Sequence, residues 1–340
     1  MEVAARSKKQ RLAAALDFAR VFDVAERLQR RRNYITILGY HRILEIDPRT
    51  YPYDEDIVSA SPDEFDRQMS YVRAHFDVMT FEELAVALRD DRVPKRALLI
   101  TFDDGYRDNY AVALPILRRH GLRAIVYVAT GYVGGIETFW YEKIAYWMKA
   151  SRRPAVQFGP SGTVLPLGDR RVETLGHIRT TLKLADEIEH PRLMAQLAEQ
   201  MDVPLEHSHL VATMTWDEIR EMHAQGTEIG AHTVSHLNMA KIGPERLERE
   251  VRDSKAAIER ETGTRVVSLA YPMGGRAHHN EAVKQMVRAA GFDFGVSYIE
   301  GINPLDSFDR YALRRIHVER NTAFTDFKAA LQFPGIFVRE

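Results

Sequence analysis

The sequence predicts an α/β fold: a parallel sheet or barrel of buried strands with helices on the outside. Two observations carry this. From Asn33 onward, β-forming apolar runs alternate with segments of helical periodicity. Several of those runs are almost continuously apolar, as strands covered on both faces must be. A third observation sets the scale. At 340 residues the chain is long enough to close one barrel and still carry an insertion.

The elements follow in order. Met1 to Asn33 holds nine basic and four acidic side chains and ends in Arg30-Arg31-Arg32. Leu12, Leu16, Val21, Phe22, Ala25 and Leu28 recur at roughly helical spacing, so this stretch reads as a basic amphipathic helix. Such a helix packs on the protein body or lies on an anionic membrane surface, and packing is its commoner use. Tyr34–Tyr40 reads as a buried strand. Ser61-Pro62-Asp63-Glu64 is a helix start, with a capping serine and a proline suited to the first turn. Ala97–Phe102 is a strand covered on both sides. Tyr110–His120 is a helix stopped by Gly121, and Ala124–Ala129 is the next strand.

The alternation resumes with a helix over Trp216–Gln225, a strand over Glu228–Ala231, a helix over Pro244–Thr262, a strand over Val266–Ala270, a helix over Asn280–Ala290 and a strand over Phe294–Ser297. Residues from about Gly134 to Thr213 break the rhythm. They hold two tryptophans, Trp140 and Trp147, and two helical stretches near Leu175–Ile188 and Pro191–Gln200. They are expected to form an insertion on the unit that spans residues 34–340.

Composition excludes several chemistries. With no cysteine there is no disulfide framework, no iron–sulfur site and no thiol nucleophile. Any metal must therefore sit on His, Asp or Glu. A net charge of −1 gives no general attraction to nucleic acid, and no nucleic-acid partner is expected. No run matches a secretory signal or the roughly 20 apolar residues of a membrane span. The chain is thus expected in the cytoplasm, with residues 1–32 as the segment able to touch the inner membrane face.

The chemistry concentrates at two strand ends. Thr101-Phe102-Asp103-Asp104-Gly105 places adjacent carboxylates directly after an apolar strand. Neighbouring side chains diverge there, so one carboxylate can bind a cation while the other stays free as a base. The plainer alternative is that both cap the following helix. Gly230-Ala231-His232-Thr233-Val234-Ser235-His236 follows a second strand. Its two histidines, separated by three residues, converge on one cation if the segment turns helically. Two imidazoles and one carboxylate form a catalytic divalent-metal site with open positions for water. Among the thirteen histidines, His207/His209 and His278/His279 are competing pairs, but no strand leads directly into either.

Thr-Phe-Asp-Asp-Gly followed by His-Thr-x-x-His resembles the polysaccharide deacetylases of carbohydrate esterase family four, the NodB-homology group, over roughly Ile35 to Val318. The resemblance implies a distorted (β/α) barrel with fewer than eight strands. It implies a divalent metal, often zinc, on Asp104, His232 and His236, with Asp103 as general base. Cobalt, nickel, iron or manganese suit the same ligands. The family's third motif, Arg-x-Pro-Tyr/Phe-Gly, is matched by Ala270-Tyr271-Pro272-Met273-Gly274. The Met273 N–H is the candidate oxyanion donor, and the usual arginine is replaced by Ala270. Arg314 and Arg315 are the candidates left to steady Asp103.

The general acid is either His41, in Tyr40-His41 after the first strand as in one branch of the family, or His317 in Arg314-Arg-Ile-His-Val318. Strand-end position favours His41. Tyr106, Tyr132, Trp140, Tyr141 and Trp147 are candidate sugar-stacking rings. Tyr271, Met273 and Trp140 are the candidate substrate contacts. Trp147 is expected to pack the insertion core instead.

Three functions are then expected to compete. The first is a metal-dependent N-deacetylase acting on an N-acetylated sugar or glycan, lipid-linked or nascent. The second is an amide or imide hydrolase on a non-sugar substrate, prompted by the missing arginine. The third is a catalytically inert glycan-binding barrel, against which the intact acidic and histidine motifs speak.

Overall fold

The computed structural model describes residues 8–18, 33–135, 137–203 and 211–338. Seven parallel strands close into a barrel: β1 (Tyr34–Tyr40), β2 (Ala97–Phe102), β3 (Ile125–Val128), β4 (Glu228–Ala231), β5 (Ser268–Ala270), β6 (Phe294–Glu300) and β7 (Leu313–His317). The ring runs in that order and shuts where β7 pairs with β1 at Leu38↔Ile316 and Gly39↔His317, while β1 also pairs with β2 from Thr36↔Leu98 to Tyr40↔Phe102. This is the distorted (β/α) barrel with fewer than eight strands. Every residue of β2, β3, β4 and β5 is buried, which explains their mainly apolar texture, with Thr101, Glu228 and Ser268 as the polar exceptions.

The helices follow local sequence cues. In α1 (Lys8–Phe18), Ala13 is buried against Ala329 of the C-terminal helix. The remaining residues of the expected N-terminal amphipathic helix lie outside the described set. Ser61 caps α2 (Pro62–His75) by accepting the Glu64 N–H at 3.2 Å, with Pro62 in the first turn. The helix expected over Tyr110–His120 begins instead as a π-turn, Asn109–Ala113, before Leu114–Arg119. Pro115 lies just after it and has no N–H for the helical ladder.

Residues 137–203 build a second apolar cluster over one rim of the barrel, centred on Phe139, Trp140, Ile144 and Trp147 with Ile178 and Leu193. Its helices include α3 (Trp140–Ala150) and α4 (Arg171–Leu184). A short antiparallel hairpin, Ala155–Phe158 with Thr163–Pro166, joins them. The helix expected near Leu175–Ile188 therefore starts and ends four residues earlier.

Candidate active site

Because the seven strands are parallel, their C-terminal ends share one rim, where barrel enzymes place their chemistry. His41 follows β1, Asp103 and Asp104 follow β2, His232 follows β4, and Tyr271 and Met273 follow β5. His41, both aspartates, His232 and His236 line one cavity of about 250 Å³.

The two adjacent carboxylates diverge. Asp104 takes a left-handed backbone conformation (φ +74°), followed by Gly105 at +75°, so the chain turns sharply and neither aspartate caps a helix. Asp104 Oδ1 lies 3.4 Å from His232 Nε2 and 3.3 Å from His236 Nε2. It is buried without a hydrogen-bond partner among the described residues. A buried, unsatisfied carboxylate oxygen facing two imidazole nitrogens is the donor set that a divalent cation completes, and these three residues could hold one. Burial raises the Asp104 pKa, but the two imidazoles facing it prevail and hold it well below the ordinary value.

Supports behind this cluster fix its orientation. His232 Nδ1 donates to the Ala270 carbonyl at 2.8 Å, which leaves Nε2 facing Asp104. Tyr141, on α3 of the insertion, donates its hydroxyl to Asp104 Oδ2 at 2.8 Å. Tyr106 bridges Tyr141 (3.2 Å) and the buried carboxylate of Glu142 (3.0 Å). Desolvation raises Glu142 to a pKa of about 7, against the opposing charge of Arg42.

The histidines do not converge through a helical turn, as the spacing suggested. Residues 232–238 form a loop in which Thr233 (φ +63°) and His236 (φ +52°) are left-handed. Glu250, on α5 (Pro244–Thr262), holds that loop by accepting the Val234 and Ser235 N–H groups, each at 2.8 Å. Two backbone donors on one carboxylate fix the turn that a helix was expected to supply.

Asp103 is clamped by Arg315 from β7. The guanidinium is fully buried and bidentate, with Nη1–Oδ1 and Nη2–Oδ2 both at 2.7 Å. Its Nε donates to the Ser297 carbonyl at 2.9 Å. Burial pushes the Asp103 carboxyl up, but the Arg315 charge outweighs it, so the group stays ionised below its ordinary pKa. Of the two arginines left open by the sequence, Arg315 is therefore the one on Asp103, and it does from β7 what an arginine at position 270 would do from β5.

His41 Nε2 lies 3.9 Å from Asp103 Oδ2, and its ring stands against Tyr298 at 5.2 Å. Desolvation lowers its pKa, with Asp104 and Asp103 pulling the other way. His317 is not in the cavity lining: its ring stacks on Tyr298 at 3.6 Å and its Nδ1 pairs with Glu300 at 2.9 Å. His278 and His279 turn to their own loop, the latter stacked on Tyr271 at 4.7 Å. His207 and His209 lie outside the described residues.

Trp140, Tyr271 and Met273 also line the cavity. The Trp140 indole nitrogen is buried with no partner among the described residues, whereas the Tyr271 hydroxyl is spent on the Tyr311 carbonyl at 2.8 Å. Met273 (φ +60°) is held in a turn with Gly274 (φ +53°). A Cβ at Gly274 would lie 2.3 Å from Tyr298 N, so no larger residue fits there. Trp147 packs inside the insertion. Sequence reasoning did not single out Glu142, Tyr298, Arg179 or Lys183. Their only signal was placement, which needs the fold.

The polysaccharide deacetylase family model matches residues 90–153 and 188–295, half of the chain. The chain belongs to the polysaccharide deacetylase family. The chain is 21% identical over 300 residues to YxkH of Bacillus subtilis, which carries the family name, covering 88% of this chain and 76% of that one. It is 27% identical over 120 residues to the poly-β-1,6-N-acetyl-D-glucosamine N-deacetylase of Staphylococcus aureus, covering 33% of this chain and 41% of that protein. Among solved structures it resembles the Streptococcus pyogenes deacetylase PplD, in complex with acetate, with a TM-score of 0.58 and 22% identity over 85% of this chain and 94% of that one.

Proposed function

We propose that this polysaccharide deacetylase is a metal-dependent hydrolase that removes N-acetyl groups from an N-acetylated sugar or glycan, lipid-linked or part of a nascent polysaccharide. The observation that carries this is the unsatisfied Asp104 oxygen facing His232 and His236 with an ionised Asp103 beside it. The name of the staphylococcal relative supports a polymer of N-acetylglucosamine as the substrate class.

Asp104, His232 and His236 would hold a divalent ion, zinc being the expected one, and it would supply Lewis acidity toward water and the acetamide carbonyl. Asp103, kept ionised by Arg315, takes the proton from the attacking water. The Met273 N–H has no partner among the described residues and stabilises the developing oxyanion. His41, once protonated, donates to the departing amine; its lowered pKa makes the charged ring a ready donor. Trp140 offers its indole N–H and ring face to the sugar. Acetate and a free amino sugar result.

The non-sugar amide reading arose from the missing arginine at position 270. With Arg315 on Asp103, that motive disappears. A cytoplasmic site of action, with residues 1–32 near the inner membrane face, rests on the sequence alone. No helix among the described residues is long and apolar enough to cross a membrane.

The test is acetate release from a panel of N-acetylated sugars, their oligomers and simple amides, with and without chelator. Acetate from N-acetylated saccharides, stopped by chelator and restored by a divalent ion, is the expected result. Release from simple amides alone would move the activity to the second reading, and release from nothing would overturn the proposal.

A further inference from the structure

The family model passes from residue 153 to residue 188, and the stretch between contains α4. That helix brings two cations, Arg179 and Lys183, into the wall of the cavity shared by Asp103, Asp104, His232 and His236. Their circumstances differ. Arg179 is committed: it pairs with buried Asp54 at 2.5 Å and with Asp56 at 2.8 Å, tying the helix to the loop after β1. Lys183 forms no ion pair or side-chain hydrogen bond among the described residues. It is exposed at the mouth, yet its surroundings are crowded enough that desolvation, followed by the Arg179 charge, lowers its pKa against the opposing pull of Asp54 and Asp56. His278 lies close enough to feel the charge of Lys183 itself.

The free anion of the cavity is Glu319. It has no ion pair among the described residues and stands with Tyr298, which feels its charge. The wall beside α4 therefore offers a cation with no direct partner, near Asp54 and Asp56 which Arg179 bridges, and the wall beside Tyr298 an anion with no direct partner among the described residues.

We propose that Lys183 is an anion subsite, and that the substrate is an N-acetylated saccharide carrying a carboxylate or phosphate on or next to the sugar whose acetamide enters the Asp/His/His cluster. The ammonium of Lys183 makes a charge-assisted hydrogen bond to that group. Arg179 holds α4 in place, and Glu319 repels the same anion from the other wall, which sets the direction in which the saccharide lies. This rests on the deacetylase reading for the nature of the scissile group, but the binding preference can be measured without turnover.

The experiment is calorimetric binding to the full chain loaded with a divalent ion. The probes are three matched N-acetylglucosamine disaccharides: one neutral, one with a neighbouring uronic acid, one with a sugar phosphate. At low salt either or both anionic probes bind about tenfold more tightly than the neutral one. That ratio shrinks as salt is added, collapses towards one in Lys183→Gln, and is kept in Lys183→Arg. Which anionic probe gains identifies the source of the charge. Equal binding of all three by the wild-type chain, or a preference that survives Lys183→Gln, overturns the proposal. Acetate release is followed in the same samples. A charge preference without acetate would refute the deacetylase reading and leave the subsite standing, and acetate released without charge preference would do the reverse.

Discussion

Asp103 and Asp104 are adjacent, equally buried and chemically identical, yet the fold gives them opposite work. One meets a guanidinium through both oxygens, the other two imidazoles through a single oxygen. Breaking a buried pair by removing one partner leaves an uncompensated charge, so Arg315→Met should cost about 3–5 kcal/mol of stability, read as a lower denaturant midpoint. Arg315→Lys should recover part of that stability but little turnover, because an ammonium cannot match both carboxylate oxygens. Wild-type turnover in Arg315→Lys would show that the clamp does not position the base. At this scale the motifs were legible: Asp103, Asp104, His232, His236 and His41 all reach one cavity. Arg315 was legible only as one of two candidates. It sits in β7, and its distance from Asp103 is set by barrel closure between β7 and β1, which neither motif records.

Among the elements, the insertion is the part least legible in advance and the one most involved in the site. Its hairpin is short and its second strand largely exposed, so no alternating pattern announced it. The sequence set no bounds for β7 because Leu-Arg-Arg-Ile-His looks polar, although Arg315 and Ile316 are buried. A barrel interior that holds a buried ion pair does not look apolar. Through α3 the insertion hands the Tyr141 hydroxyl to Asp104 Oδ2. Tyr141→Phe keeps the ring and its packing while removing that bond. It should leave the thermal midpoint within a few degrees and weaken metal affinity by about 10–100-fold, as loss of an outer-sphere partner does. Unchanged affinity in the zinc titration of that variant would mean the insertion only covers the site.

The whole molecule carries an acid whose proton couples folding to pH. Glu228 opens β4 at the end of the barrel away from the site. It accepts the Glu82 N–H at 2.9 Å and touches Ser268 Oγ at 3.3 Å, and desolvation raises its pKa to about 7. Its folded pKa exceeds the unfolded value, so the folded state keeps the proton more tightly. The contribution to stability is complete at low pH and is lost as pH rises from about 4.5 to about 7, by up to about 3 kcal/mol. Melting temperatures measured from pH 5 to pH 8 should fall over that range, and Glu228→Gln should reduce the slope, with buried Glu142, also raised to about 7, supplying the remainder. A slope unchanged by that substitution would place the titration elsewhere. The barrel itself was legible from strand–helix alternation, because burial on both faces writes a continuous apolar signature. Its count of seven strands follows from closure.

The central claim is that Asp104, His232 and His236 hold one divalent ion while Asp103 stays free of it as the base. Calorimetric zinc titration of the metal-free chain tests this most directly, with Asp103→Asn and His232→Ala alongside. The account predicts one ion per chain in the wild type and in Asp103→Asn, the latter without acetate release, and no tight binding in His232→Ala. A wild-type chain that takes up no ion, or a His232→Ala chain that binds it as tightly as the wild type, would contradict it.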